Sequence, residues 1–145
     1  MDDDEAGCAR ATRHAITATR VEDAAQRLRC LPDLFGARCV VVESAIFNTL
    51  RMLCSRYDGG FWNFYRLSNG GFYMAPDIAS PLVLLCPNHY EVTLSADSAG
   101  IVACTYAYSH LSFLPGGEAC AHAYRKLSAY VADHADYPAI RAATD

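Results

Sequence analysis

Two glycine pairs bracket a run of aromatic residues, and this punctuation constrains the fold more than any other feature of the chain. Asp58-Gly59-Gly60 is a turn signal. From Phe61 to Leu67 the residues alternate, with Phe61, Asn63, Tyr65 and Leu67 on one face and Trp62, Phe64 and Arg66 on the other. That is the two-residue period of a β-strand. Ser68-Asn69-Gly70-Gly71 supplies residues that tolerate positive φ in a tight turn. Phe72 to Ala75 returns as the partner strand, and Pro76, which has no N–H to donate, ends it. The segment predicts an antiparallel hairpin whose two faces are both rich in aromatic rings.

The flanking sequence predicts helices before and after a set of strands. Residues 1–14 are polar, charged and without period, and read as a disordered acidic tail; 15–145 reads as a single domain. Ile16 to Val21 suits a short strand. Glu22 to Arg29 suits one or two helical turns, broken at Leu31-Pro32, before Leu34-Phe35-Gly36 turns the chain. Val40 to Cys54 is helical. Ser44, Asn48, Arg51 and Ser55 form its polar stripe, and Ile46, Phe47, Leu50 and Cys54 face the core. Pro81 to Cys86 is a continuous apolar run, as expected of a strand buried on both faces, and Tyr90 to Leu94 follows as a fourth strand. Ser95 is placed to cap a helix running to about Phe113, with Asp97 in its first turn and apolar residues almost all round. A third helix spans about Glu118 to His134, with Cys120, Tyr124, Leu127, Val131 and His134 as its core stripe. Asp136 to Asp145 is a loose end or a further short turn. Short links between consecutive strands and segregated helices predict an α+β two-layer sandwich, with an antiparallel sheet of about four strands and helices packed mainly on one face.

Composition narrows function by exclusion. No apolar stretch approaches the ~18 to 20 residues of a membrane span, and the opening Met1-Asp2-Asp3-Asp4-Glu5 is the reverse of a basic secretory start. A cytoplasmic protein is expected. The formal net charge is −4. Asp2, Asp3, Asp4 and Glu5 alone account for it, leaving twelve acids against twelve Lys and Arg. Gripping nucleic acid needs a basic excess, and imitating DNA needs a dense acidic surface; neither is present as a global design. The seven cysteines have no CxxC spacing and sit mostly among apolar residues, as reduced core thiols do.

The available chemistry is sparse. The five histidines form no HExxH or HxH pattern, and Cys120 and His122 point in different directions on a helix, so no metal site and no cofactor are expected. The glycine pairs are turns, since no Lys-Ser or Lys-Thr follows them. Glu43 lies on the apolar stripe of its helix. It reads as a candidate buried polar group: a boundary residue with its head in water, one half of a buried pair, or a catalytic acid. Asp58 reads first as a turn residue. On the hairpin, one face is expected to leave Trp62, Phe64 and Tyr73 partly in water, where aromatics serve as protein-contact hot spots. A single-stranded nucleic-acid platform would use the same rings but needs a basic groove, and Arg56 and Arg66 are the only nearby cations. A Cys/His-dependent enzyme is the remaining alternative.

The segment from Tyr57 through Gly59-Gly60-Phe61-Trp62-Asn63-Phe64-Tyr65 and Asn69-Gly70-Gly71-Phe72-Tyr73 to Pro76 closely resembles the signature of the KlcA/ArdB antirestriction family. Leu31-Pro32-Asp33-Leu34-Phe35-Gly36, the Glu43 helix and Ser95-Ala96-Asp97-Ser98-Ala99-Gly100-Ile101-Val102 are similar to it in the same order, covering about residues 16–135. Asn63 and Arg66 stand where the resemblance leads us to expect acidic residues. The resemblance implies relief of restriction by type I restriction-modification systems and no established active site. With a charge-balanced body, it implies protein contact and not DNA mimicry. The partner would be the restriction complex or an associated DNA-processing protein, met by a monomer that binds DNA weakly at most. Asp58, Trp62, Phe64, Arg66, Asn69 and Tyr73 are the candidate contact residues.

Overall fold

The hairpin is the centre of a three-stranded antiparallel sheet. In the computed structural model, residues 14–145 are described; the expected N-terminal tail lies outside them, His14 excepted. In chain order the elements are β1 (Ala18–Arg20), α1 (Ala24–Phe35), a 3-10 turn (Gly36–Arg38), α2 (Cys39–Leu53), β2 (Trp62–Leu67), β3 (Phe72–Pro76), β4 (Leu82–Leu85), β5 (Glu91–Leu94), α3 (Ala96–Ser112), α4 (Glu118–Val131) and α5 (Tyr137–Thr144). The class is α+β and every strand pair is antiparallel, as expected. The strands divide between two sheets, ordered β1-β2-β3 and β4-β5.

The register of the hairpin, Trp62 opposite Pro76 and Arg66 opposite Phe72, follows from the tight turn at Asn69-Gly70, where Gly70 has φ +87°. β1 joins the other side of β2, with Ala18 opposite Leu67. This leaves β3 as an edge, and α3 seals it. Alternation points the backbone groups of Phe72 and Met74 away from β2. The Tyr108 hydroxyl donates to the Phe72 carbonyl at 2.9 Å. The Cys104 thiol lies 3.5 Å from the Met74 nitrogen and 3.6 Å from its carbonyl oxygen. Pro76 takes the next outward position, where it has no donor to leave unpaired. The helix can lie this close because Gly100 has no side chain: a Cβ there would stand 2.5 Å from Ala75 Cα and from the Met74 carbonyl oxygen. α3 is buried almost continuously from Ser98 to Tyr108, in keeping with its all-round apolar sequence.

Four local expectations change. α1 runs through Pro32 to Phe35. The proline sits in the last turns on the exposed side, so the Leu28 carbonyl it cannot serve is left to solvent. Its start lies within two residues of the expected Glu22, with Asp23 as the N-cap, accepting from the Gln26 N–H at 3.0 Å. β4 alternates buried and exposed, so Val83 and Leu85 face outward. α4 ends at Val131, which places His134 in the following turn, and Tyr124 is on its outer side. The C-terminal residues form α5, with Pro138 in its first turn.

Candidate partner-contact surface

The two faces of the hairpin are covered by different helices, and this decides which candidate residues can meet a partner. Trp62, Phe64, Phe72 and Met74 share one face by alternation. Trp62 is buried with its indole N–H donating to the Tyr57 hydroxyl at 2.7 Å and its ring 5.2 Å from Phe47 of α2. Phe64 is buried edge-on to Phe72. On the opposite face Tyr73 is buried between Tyr65 and Tyr130, in a stack with centroid spacings of 4.7 and 5.8 Å. The expected water-facing aromatic surface is therefore absent. Trp62, Phe64 and Tyr73 are core because α1 and α2 close one face while α3 and α4 close the other. Asn69 is likewise engaged: its amide donates to the Lys126 carbonyl at 2.9 Å and its side-chain oxygen accepts from the Gly71 N–H at 3.0 Å, fastening the turn to α4. Asp58 and Arg66 are exposed, and Arg66 leaves the Phe64 face beside Cys30 of α1.

The opening lies one layer out, between α1 and α2. A groove of about 490 Å³ is lined by Leu28, Leu31 and Pro32 of α1, Val40 and Glu43 of α2, and Phe64 at its base. Its lips are apolar and in water: Leu28 is 80 % exposed and Val40 68 %. Arg27 forms the wall toward the hairpin. Its guanidinium lies 4.5 Å from the Phe61 ring centroid and 4.3 Å from that of Phe64, and it donates to the Trp62 carbonyl at 3.0 Å. β1 stops short of that carbonyl, so Arg27 supplies the donor the sheet lacks there. Phe61 is half exposed above it. Glu43, the candidate buried polar group, is half-buried, and its carboxylate has no ion pair or hydrogen bond among the described residues, which fits a boundary residue and not one half of a buried pair. Its place on the apolar stripe reflects the groove, which keeps that side of α2 unfilled. A groove of this kind has the composition of a protein-contact site, with an arginine stacked on aromatics and exposed aliphatic lips. The sequence hid it because Leu28 and Val40 are on separate helices, and only the turn at residues 36–38 brings them together.

A second polar cluster fastens the far side. His134 Nδ1 accepts the Asp136 backbone N–H at 2.9 Å, so its Nε2 carries the proton that faces the Asp97 carboxylate, also at 2.9 Å. The Tyr73 hydroxyl donates to the other Asp97 oxygen at 2.5 Å. Burial alone raises the Asp97 carboxyl, but the bonds from His134 and Tyr73 and the attraction of His134 outweigh it and hold the group below its usual range. Burial first, and then the Asp97 hydrogen bond, push the Tyr73 hydroxyl far up. Both imidazole nitrogens are thus committed within the fold, and among the described residues their partners are Asp97 and the Asp136 backbone.

The thiols point away from nucleophilic chemistry as well. Burial pushes Cys104 up to about 12 and raises Cys30, Cys86 and Cys120, the opposite of an activated thiolate. Among the described residues no group of three or more His, Cys, Asp or Glu side chains is placed to hold a metal ion, and no helix is long and apolar enough to cross a membrane. Arg10 and Arg13 precede the described residues, so residues 14–145 carry twelve acids against ten bases, close to balance.

Comparison with known proteins agrees with this architecture. The profile of a family described as antirestriction protein matches residues 55–145. Antirestriction protein KlcA of Escherichia coli is 44 % identical over 138 residues, covering 90 % of this chain and 94 % of its own. A protein of Escherichia coli strain K12 known as YafX, without a characterised role, is 35 % identical over 130 residues, covering 86 % and 85 %. Among solved structures, one matches with a TM-score of 0.83 at 39 % identity, over 92 % of this chain and 97 % of that one. It comes from work on the KlcA and ArdB proteins describing a novel fold and antirestriction activity against type I DNA restriction systems in vivo but not in vitro. With the hairpin signature, the sealed sheet edge and near-complete coverage of its relatives in agreement, the chain belongs to the KlcA/ArdB family of antirestriction proteins.

Proposed function

We propose that this chain relieves type I restriction inside the bacterial host by contacting a protein, without catalysis and without imitating DNA. The observation that carries this reading is the near-balanced charge of the body beside an open apolar groove. Twelve acids and ten bases spread over a domain of this size lack the field needed to displace a polyanion. The α1–α2 groove, by contrast, offers aliphatic lips, a stacked arginine and the half-buried Glu43 to a protein surface. Activity of the KlcA and ArdB proteins in vivo but not in vitro favours a partner that the cell supplies and the purified reaction lacks. A DNA-processing protein associated with the restriction complex fits that description.

Affinity-tagged chain purified from cells carrying a type I system, compared with a Leu28→Asp/Val40→Asp variant, tests the proposal. A partner retained by the parent chain and lost by the folded variant supports it. Equal retention by both, or tight capture of duplex DNA by the purified parent chain, contradicts it. The single-stranded nucleic-acid reading loses its basis because Trp62, Phe64 and Tyr73 are buried and offer bases no stacking platform.

A further inference from the structure

β4 is apolar on both faces in sequence and covered on one in the fold. Leu82 and Leu84 are buried, whereas Val83 and Leu85 stay 51 % and 61 % exposed. The Cys86 N–H donates to the Tyr90 carbonyl at 2.9 Å, so residues 82, 84 and 86 are the ones bonded to β5. The N–H and C=O groups of Val83 and Leu85 therefore point away from β5, and among the described residues they have no hydrogen-bond partner. Beside them runs a groove of about 530 Å³ between β4 and the C-terminal turn of α2, lined by the exposed Met52 and by both Arg56 and Glu91.

We propose that β4 pairs antiparallel with β4 of a second copy of this chain, joining the two hairpins into one sheet ordered β5-β4-β4-β5. An unpaired strand edge calls for another strand, and three features specify a second copy. The segment Pro81-Leu82-Val83-Leu84-Leu85-Cys86-Pro87 is nearly symmetric about Leu84, so self-pairing sets Val83 against Leu85 and proline against proline. In that register the free groups of Val83 and Leu85 form bonded pairs in both directions, while Leu84 keeps its bonds to β5; the prolines, having no N–H, end the ladder. Arg56 and Glu91 in the same groove let each copy offer the other a charge of either sign, the self-complementarity an isologous interface requires. The contact departs from the monomer expected from the sequence. It leaves the α1–α2 groove open, since Val40 and Met52 lie about 18 Å apart along α2.

Sedimentation velocity of the full chain, carried to ~0.2 mM as a small transient interface requires, tests this together with amide exchange at high and low concentration. The expected result is a dimer that forms as concentration rises, with the Val83 and Leu85 amides becoming protected in step. Val83→Lys/Leu85→Lys places like charges across the twofold and is expected to weaken association by about a hundredfold, with an unchanged circular dichroism spectrum because both side chains are outside the core. A parent chain that stays monomeric throughout overturns the proposal. So does a dimer that survives the lysine pair or leaves those two amides unprotected, since the copies then meet elsewhere. A monomer whose β4 edge takes up only a foreign strand overturns it too.

Discussion

His134 and Asp97, separated by 37 residues, meet at 2.9 Å and tie the turn after α4 to the first turn of α3. The same carboxylate takes the Tyr73 hydroxyl, so three segments converge on it. Asp97 is held below its ordinary value of 3.8. Its contribution to stability is therefore complete above that value and is lost as pH falls through the lower, folded-state value. Asp97→Asn is expected to cost about 1–2 kcal/mol near neutral pH, discounted for the partial exposure of the carboxylate. Chemical denaturation at several pH values checks this: the gap between parent and variant should close as pH drops below the aspartate range, and a constant gap would refute the assignment.

Gly100 sets how closely α3 approaches the edge of β3. Gly100→Ala places a Cβ 2.5 Å from Ala75 Cα and the Met74 carbonyl oxygen, and both obstacles include backbone. Over-packing of this kind is expected to cost about 1–3 kcal/mol, against the gain that alanine normally brings to a helix interior. A melting temperature equal to or above that of the parent chain would show that the helix has room to move.

Tyr108→Phe keeps the ring and removes the hydroxyl that serves the Phe72 carbonyl. Leaving that buried acceptor unpaired is expected to cost about 1–3 kcal/mol. Exchange of amides in β3 and α3 should quicken together, because the bond joins the two elements. Unchanged denaturation would mean that another donor takes its place.

Thiol labelling reads the core directly. Native protein treated with iodoacetamide at neutral pH should react at the half-buried Cys39 well before Cys104, which is fully buried and pushed up to about 12. Cys30 should follow Cys104 in resisting until the fold opens. Peptide mass spectrometry over time gives the order, and rapid modification of Cys104 in folded protein would contradict its place at the β3 edge.

Much of the fold is legible from local chemistry. The turn at Asn69-Gly70, the alternation from Trp62 to Leu67, the Ser95 cap and the all-round apolar character of α3 each announce their element, because each depends on neighbours in sequence. What the sequence hides depends on distant segments. Trp62, Phe64 and Tyr73 read as a half-wet face because nothing local shows that α1 and α2 close one side while α3 and α4 close the other. Trp62→Ala consequently tests folding and not contact: it removes the ring against Phe47 and the donor to Tyr57, and is expected to cost about 3–5 kcal/mol. Pro32 reads as a breaker, yet α1 carries it where its missing bond falls on the solvent side. Of the candidate site, Glu43 and Phe64 stand out in the sequence, Glu43 on an apolar stripe and Phe64 in the aromatic hairpin. Leu28, Val40 and Arg27 do not, since a groove between two helices leaves no periodic trace.

On the proposed reading, a partner is recognised by the shape of the α1–α2 groove. Restriction relief reads this recognition out, as the plating efficiency of unmodified phage on cells with a type I system. The comparison is between the parent chain and Leu28→Asp/Val40→Asp, with soluble expression and denaturation midpoint matched. These side chains are exposed, so the fold should hold while a contact hot spot worth ~2 kcal/mol or more is removed. Protection is expected to fall toward the level of cells lacking the protein; full protection by the folded variant would refute recognition through the groove.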